Sequence, residues 1–206
     1  MVTVCCVLWG DKFSEDYVRN LKDGVERNTT VRHKFVCLTD RHIDGVDTKF
    51  LKPGLTGWWN KLQLFDGDIS GRIVYLDLDT LIVNNIDWLL NYNGGFMGIE
   101  DLGAARQPLL RDRLQSGVMA WNSDSMDWVY KEFVFKKDTA VREFRGDGEY
   151  LNSVISNRNF LQHIYPNQLK SYKYDVYPDN IGNVSIICFH GRPSIIQSMS
   201  ESITTP

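Results

Sequence analysis

The stretch RIVYLDLDTLIV, residues 72–83, decides how this chain is read. It has the apolar, β-branched character of a buried strand, yet Asp77 and Asp79 stand at its centre. Ionised carboxylates are costly to bury without a partner. If the backbone stays extended there, the period-two geometry of a strand puts both side chains on one face, about 6–7 Å apart at Cα. Like charges that close repel, and one takes up a proton unless a cation intervenes. A divalent ion that prefers oxygen ligands, Mn²⁺ or Mg²⁺, resolves the conflict. The competing reading is local: a strand-end Asx turn, or the N-cap of a helix over TLIVNNIDWLL. A second Asp-x-Asp, Asp66 and Asp68 in FDGDIS, warns that spacing alone decides little. With its glycine, between a helical and a strand-like stretch, that pair reads as a solvated turn.

Working outward, further apolar runs punctuate the chain. Residues 2–9, HKFVCLTD (33–40), GFMGIED, SGVMAWN and VSIICFHG (184–191) read as strands. Ser14 is placed to cap a helix whose inward face is Val18, Leu21 and Val25. WWNKLQLF (58–65), IDWLLN, SDSMDWVYKEFVF and GDGEYLNSVISN read as helices. Apolar runs rather than strict alternation imply strands covered on both faces, hence an α/β sandwich around a mixed, mostly parallel sheet. Ligands of such folds gather at the carboxyl ends of strands. The polar residues ending these strands are therefore candidates for one shared rim. They are Trp9-Gly10-Asp11, Thr39-Asp40, Asp77-Leu78-Asp79, Glu100-Asp101 and His190-Gly191.

The chain has 206 residues and a net charge of −3, which suits one domain with a sizeable core. No run of Lys or Arg marks a nucleic-acid or membrane-surface footprint. The apolar start, MVTVCCVLWG, lacks a basic leader and is too short to span a bilayer, so it reads as the first strand. Cys5, Cys6, Cys37 and Cys188 sit in strand-like runs without metal-ligand spacing, and read as reduced core thiols of a cytoplasmic protein. The expected organisation is a single domain over residues 1–196 with a polar tail over 197–206.

Several segments, in order, carry a resemblance. GRIVYLDLDTLIV resembles the metal-binding strand of GT-A fold glycosyltransferases, above all the family 8 group that includes glycogenin and galactosyltransferases. WWNKLQLF resembles the helix that brings a basic residue, here Lys61, near the donor. LQSGVMAWN resembles the strand beside the donor sugar, with Gln115 at the usual asparagine, followed by Ser116. GDGEYLN resembles the helix start facing that sugar, with Gly148 where the family often has glutamine. CFHGRPS resembles the late His-Gly segment, without the family's Lys-Pro-Trp ending.

The resemblance implies a single-domain GT-A (nucleotide-diphospho-sugar transferase) fold and a Mn²⁺- or Mg²⁺-dependent transferase. Its donor would be a nucleotide-diphosphate sugar, with UDP the expected nucleotide, and transfer would retain anomeric configuration. Asp77, Asp79 and His190 are the implied metal ligands, where a cation would neutralise charge on the leaving diphosphate. One aspartate has the ribose hydroxyls as an alternative partner. A strand-end histidine is otherwise a structural hydrogen-bonder, and its glycine neighbour and register favour ligation. Lys61, Leu78, Gly191 and Arg192 are the implied diphosphate contacts. Trp9, Thr39 and Asp40 are candidates for the base, with Trp9 equally readable as core and Tyr17 a weaker candidate. Gln115, Ser116 and Asp147 would face the donor sugar. Asp147 is the main candidate at the reacting carbon, against a simple N-cap. Glu149 reads as an acceptor contact or a first-turn dipole partner. Were configuration inverted, Asp147, Glu149 or Asp101 would have to act as base.

The acceptor, whether glycan, protein or small molecule, is not identified by the sequence, and its site is expected to be shallow or completed by a partner. A sugar nucleotidyltransferase would want a glycine-rich phosphate loop after the first strand, which LWGDKFSED does not offer. A non-catalytic nucleotide-sugar or sugar-binding module is the other reading, and Gly148 is the residue that favours it.

Overall fold

The computed structural model describes residues 1–176 and 182–190. Strand β1 (Val2–Leu8) leads into α1 (Glu15–Arg27), then β2 (His33–Thr39) and β3 (Asp47–Phe50). A 3-10 helix (Gly57–Phe65) precedes β4 (Arg72–Leu76), β5 (Thr80–Ile82), the single turn α2 (Asp87–Leu90) and β6 (Met97–Glu100). Strand β7 (Leu114–Asn122) is followed by α3 (Asp127–Phe135), α4 (Lys137–Glu143) and α5 (Asp147–Val154). The chain then runs through β8 (Asn159–Phe160), α6 (Leu161–Ile164), β9 (Leu169–Ser171) and β10 (Ile186–Cys188).

The main sheet has the order β3-β2-β1-β4-β7-β6-β8, and a small sheet has the order β5-β10-β9. In the main sheet only β7 runs against its neighbours, β4 and β6, so the expected mixed, mostly parallel sheet is present. Both faces are covered. On one, α1 seats Val18, Leu21 and Val25 against Val4, Cys6 and Leu8 of β1. On the other, Trp59, Leu62 and Phe65 of the 3-10 helix pack with Trp121, Phe133 and Tyr150. Alternate residues of β1 thus feed opposite cores, which explains why the run is apolar throughout. Ser14 occupies the N-cap position of α1 in extended conformation, without a side-chain capping bond. All four cysteines are buried free thiols.

The structure corrects two readings. RIVYLDLDTLIV is not one strand: β4 stops at Leu76, and Thr80 N donates to the Asp77 carbonyl at 3.1 Å, closing a turn. β5 then leaves for the small sheet, where it pairs antiparallel with β10. The two aspartates are therefore turn residues, not alternate residues of an extended chain. FDGDIS is a turn, but not a solvated one. The Asp66 carboxylate is only 2% exposed, with Lys52 Nζ at 2.7 Å. The helix expected at 58–65 is present as a 3-10 helix. Helices α4 and α6 and strands β3, β5, β8 and β9 were not expected as separate elements. The polar tail over 197–206 lies outside the described residues. Among the described residues, no helix is long and apolar enough to cross a membrane.

Candidate functional site

Reversal of β7 builds the site. Because β7 runs against β4, the start of one strand meets the carboxyl end of the other, with Leu76 opposite Val118. One residue on, Asp77 N donates to the Gly117 carbonyl at 2.8 Å. Gln115, Ser116 and Gly117 thereby arrive beside Asp77. With the end of β1, the 3-10 helix and the N-terminus of α5 they enclose a cavity of about 730 Å³. Trp9, Lys61, Asp77, Leu78 and Asp79 line it, as do Gln115, Ser116, Asp147 and Glu149.

At its base lies a buried charge cluster. Lys61 is buried, 7% exposed, and its ammonium is hydrogen-bonded. Nζ stands 3.0 Å from Asp77 Oδ1, 3.1 Å from Asp147 Oδ2 and 3.1 Å from Ser116 Oγ. Ser116 Oγ in turn donates to Asp147 Oδ2 at 2.6 Å, and the Tyr75 hydroxyl donates to Asp77 Oδ1. Burial alone would pull the lysine's pKa down. The carboxylates of Asp147 and Asp77 outweigh it and hold the pKa well above the ordinary lysine value. Lys61 is thus a fixed cation.

Asp79 fares differently. Burial first, and the charge of Asp77 second, push its pKa up to about 7, against the pull of Lys12 and Lys61. The Cys188 thiol is pushed up as well, by burial and then by the fields of Asp79 and Asp77. Negative charge here exceeds what the lysines neutralise, and the donors are hard oxygens. Asp77 and Asp79 therefore fit a divalent cation.

His190 is not brought to the pair. Its Nε2 lies 2.6 Å from Ser171 Oγ, and its ring packs on Tyr174 with centroids 5.0 Å apart. Burial, and then Lys173, lower its pKa. Among the described residues, no group of three or more His, Cys, Asp or Glu side chains is placed to hold a metal. Gly191 and Arg192 lie outside the described residues.

Of the base candidates, only Trp9 lines the cavity; it is 40% exposed at the end of β1. Thr39 is buried, its carbonyl accepting from Leu51 N at 2.9 Å and its Oγ1 from Arg41 N at 3.3 Å. Asp40 accepts from Gly10 N at 3.1 Å and Arg41 Nε at 2.9 Å, and Arg41 chiefly holds its pKa below the usual carboxylate value. These two brace the ends of β1 and β2 rather than face the cavity. Tyr17 packs edge-on against Phe13. Asp101 caps its own turn, accepting from Gly103 N at 2.9 Å. Glu149 accepts from Arg145 N at 2.8 Å and Nε at 2.7 Å, with Arg113 Nη2 at 3.7 Å.

Gln115 lines the cavity. Its side-chain carbonyl is buried on the cavity wall and finds no hydrogen-bond partner among the described residues. Trp121 Nε1 and Tyr150 OH of the core share that condition, so the unpaired atom does not by itself mark a ligand. Sequence reasoning missed Lys12, Tyr75, Trp58, Arg113 and Arg145. Tyr75 was within reach, since period two places it on the same strand face as Asp77.

Comparison with solved structures gives the fold its relatives. The chain is similar to a galactosyltransferase, LgtC, solved with donor and acceptor sugar analogs. The TM-score is 0.68 at 13% identity, over 93% of this chain and 88% of that one. It is also similar to the glycosyltransferase GlyE of Streptococcus pneumoniae TIGR4, with TM-score 0.66 and 12% identity over 99% of this chain and 60% of that one. A third similar structure is WbbM, a bifunctional glycosyltransferase, with TM-score 0.64 and 12% identity over 94% of this chain and 46% of that one. No protein-family profile and no curated protein sequence matches the chain. At such identities the likeness establishes the fold, which is that of GT-A-like glycosyltransferases.

Proposed function

We propose that the chain is a metal-dependent glycosyltransferase that moves a sugar from a nucleotide-diphosphate donor, UDP-sugar in the first instance, to an acceptor hydroxyl with retention. The observation that carries this reading is the under-neutralised Asp77–Asp79 pair, set in one cavity with the fixed Lys61–Asp147–Ser116 cluster.

Asp77 and Asp79 would hold Mn²⁺ or Mg²⁺, with His190 as a third ligand once released from Ser171. The cation would supply Lewis-acid stabilisation of the departing diphosphate. The remaining roles belong to the chain itself. Trp9 presents an aromatic face at the end of β1, suited to stacking on a nucleobase. Lys61 adds a permanent positive charge beside the place where negative charge develops. Gln115 accepts from a donor-sugar hydroxyl. Asp147, held by Ser116 and Lys61, steadies positive charge at the anomeric carbon. The bond from that carbon to the diphosphate oxygen breaks with its electrons on the nucleotide, the acceptor oxygen bonds to the carbon, and the acceptor proton passes to the leaving diphosphate.

The test is release of free nucleotide from a panel of UDP-, GDP- and ADP-sugars with Mn²⁺, compared with Asp79→Asn. Turnover that needs the metal and is lost in Asp79→Asn is the expected result, with the product anomer read by NMR. Binding of nucleotide sugars without turnover or donor hydrolysis across the panel would instead identify a non-catalytic module, the reading that Gly148 favours.

A further inference from the structure

The cavity mouth carries an aromatic side chain, Trp58, to which the donor reading above assigns no role. Trp58 stands near the start of the 3-10 helix and is 59% exposed, while its neighbour Trp59 is buried and stacked on Phe133 at 5.5 Å. The exposed part of the indole is apolar area that an occupant would bury. Trp58 is held against Gly146: a Cβ there would stand 2.8 Å from Trp58 Nε1 and 3.0 Å from Cδ1. Gly146 has extended backbone, φ 178°, that any residue adopts. The indole, not the backbone, is what excludes a side chain at this position. The same mouth is lined by Arg113, Arg145 and Glu149, the last tied to Arg145 at 2.7 Å.

An indole face beside planar charged groups suits a pyranose ring. Ring C–H groups favour the electron-rich face of an aromatic. Ring hydroxyls lie towards the edge, where guanidinium and carboxylate groups form strong, directional hydrogen bonds. Position in the cavity then selects which sugar. The donor's diphosphate belongs with the metal-binding pair, Asp77 and Asp79, and its sugar with buried Asp147. Trp58 is exposed and touches Gly146, the residue immediately before Asp147, so a ring on this indole lies on the solvent side of the donor sugar.

We propose that Trp58, seated on Gly146 and flanked by Arg113, Arg145 and Glu149, is the acceptor subsite, and that the acceptor is a glycan ending in a hexopyranose. The word acceptor rests on the transferase reading above; the sugar platform itself does not.

The test uses the full chain labelled with ¹⁵N at its indoles, with UDP and Mn²⁺ present, titrated with lactose, maltose and cellobiose. The Trp58 Nε1–H signal is identified by its loss in Trp58→Phe. A saturating shift of that signal with at least one disaccharide is expected. Binding, followed by saturation transfer to the sugar, should weaken about tenfold in Trp58→Ala and recover in part in Trp58→Phe. Gly146→Ala should weaken it too, because the new methyl displaces an unaltered indole. Thermal melts establish that each variant is folded, as expected for an exposed side chain. A Trp58 signal that no disaccharide moves, or binding undiminished in Trp58→Ala, overturns the proposal. UDP binding is measured in the same samples by calorimetry. Its failure would sink the donor reading while the indole titration still decides the platform.

Discussion

The chain holds two Asp-x-Asp pairs, alike in sequence and opposite in electrostatics. At Asp66 and Asp68 the cations match the carboxylates: Lys52 stands 2.7 Å from Asp66 and 3.0 Å from Asp68, and Lys49 stands 2.7 Å from Asp68. Hydrogen bonds from both lysines draw the pKa of Asp68 down to about 2. At Asp77 and Asp79 the buried cation is Lys61, which is shared with Asp147, and Asp79 is left with its pKa near 7. A motif that ends in a balanced cluster is structural. One that ends in a charge deficit on a cavity wall is poised for a ligand. Spacing is common to both, and the supply of nearby cations separates them.

The comparison breaks most sharply at the lysines. Lys61→Met strands Asp77 and Asp147 without their shared cation, so urea unfolding followed by circular dichroism should show a loss of about 3–5 kcal/mol. Lys52→Met leaves Asp68 its Lys49 partner but takes the nearest cation from the buried Asp66 carboxylate, and should cost less, about 1–2 kcal/mol.

Next comes pH, with chelator present. Asp79 has a folded pKa raised to about 7, so the folded state holds its proton more tightly than the unfolded chain. Its effect is a loss of stability as pH rises from about 4 to 7, of a few kcal/mol at most, and Asp79→Asn should flatten that slope. Asp68, lowered to about 2, has the opposite sign: it contributes stability above about pH 4 that is lost as pH falls towards 2. Matching slopes at the two pairs would mean that their electrostatics do not differ.

Ser116→Ala removes a buried hydroxyl that donates to Asp147 and accepts from Lys61, and should cost about 1–2 kcal/mol in the same unfolding assay. Smallest is Asp68→Asn, with its side chain 45% exposed, which should shift stability by about 0.5 kcal/mol.

Much of the fold was legible because it follows period and burial. Val18, Leu21 and Val25 recur at helical spacing, and the apolar runs of β1, β2 and β7 required cover on both faces. The turn at 77–80 was legible only as an alternative to an extended strand, because Thr80-Leu81-Ile82 continues the strand-like character of Ile73–Leu76 while joining another sheet. β3 escaped notice because it is a short edge strand without a buried residue. In the site, Asp77, Asp79, Lys61, Ser116 and Asp147 were nameable individually. That one ammonium would join three of them was not, since the partners are brought together only by the reversal of β7 and the docking of α5. Trp58 had a faint signal in the WW doublet: adjacent residues cannot both face the core from one helical turn.

The buried lysine also constrains the order of assembly. Lys61 and Ser116 are 55 residues apart, and Ser116 and Asp147 are 31 apart. An intermediate that docked the 3-10 helix before β7 and α5 would leave the ammonium with Asp77 alone of its three partners, which is disfavoured. Closing these long loops is slow relative to local helix formation. The pocket floor is accordingly expected to appear only in the last cooperative step of folding. Amide exchange at Asp77 and Ser116 should then proceed only through global opening, while the exposed rim around Trp58 exchanges by local fluctuation.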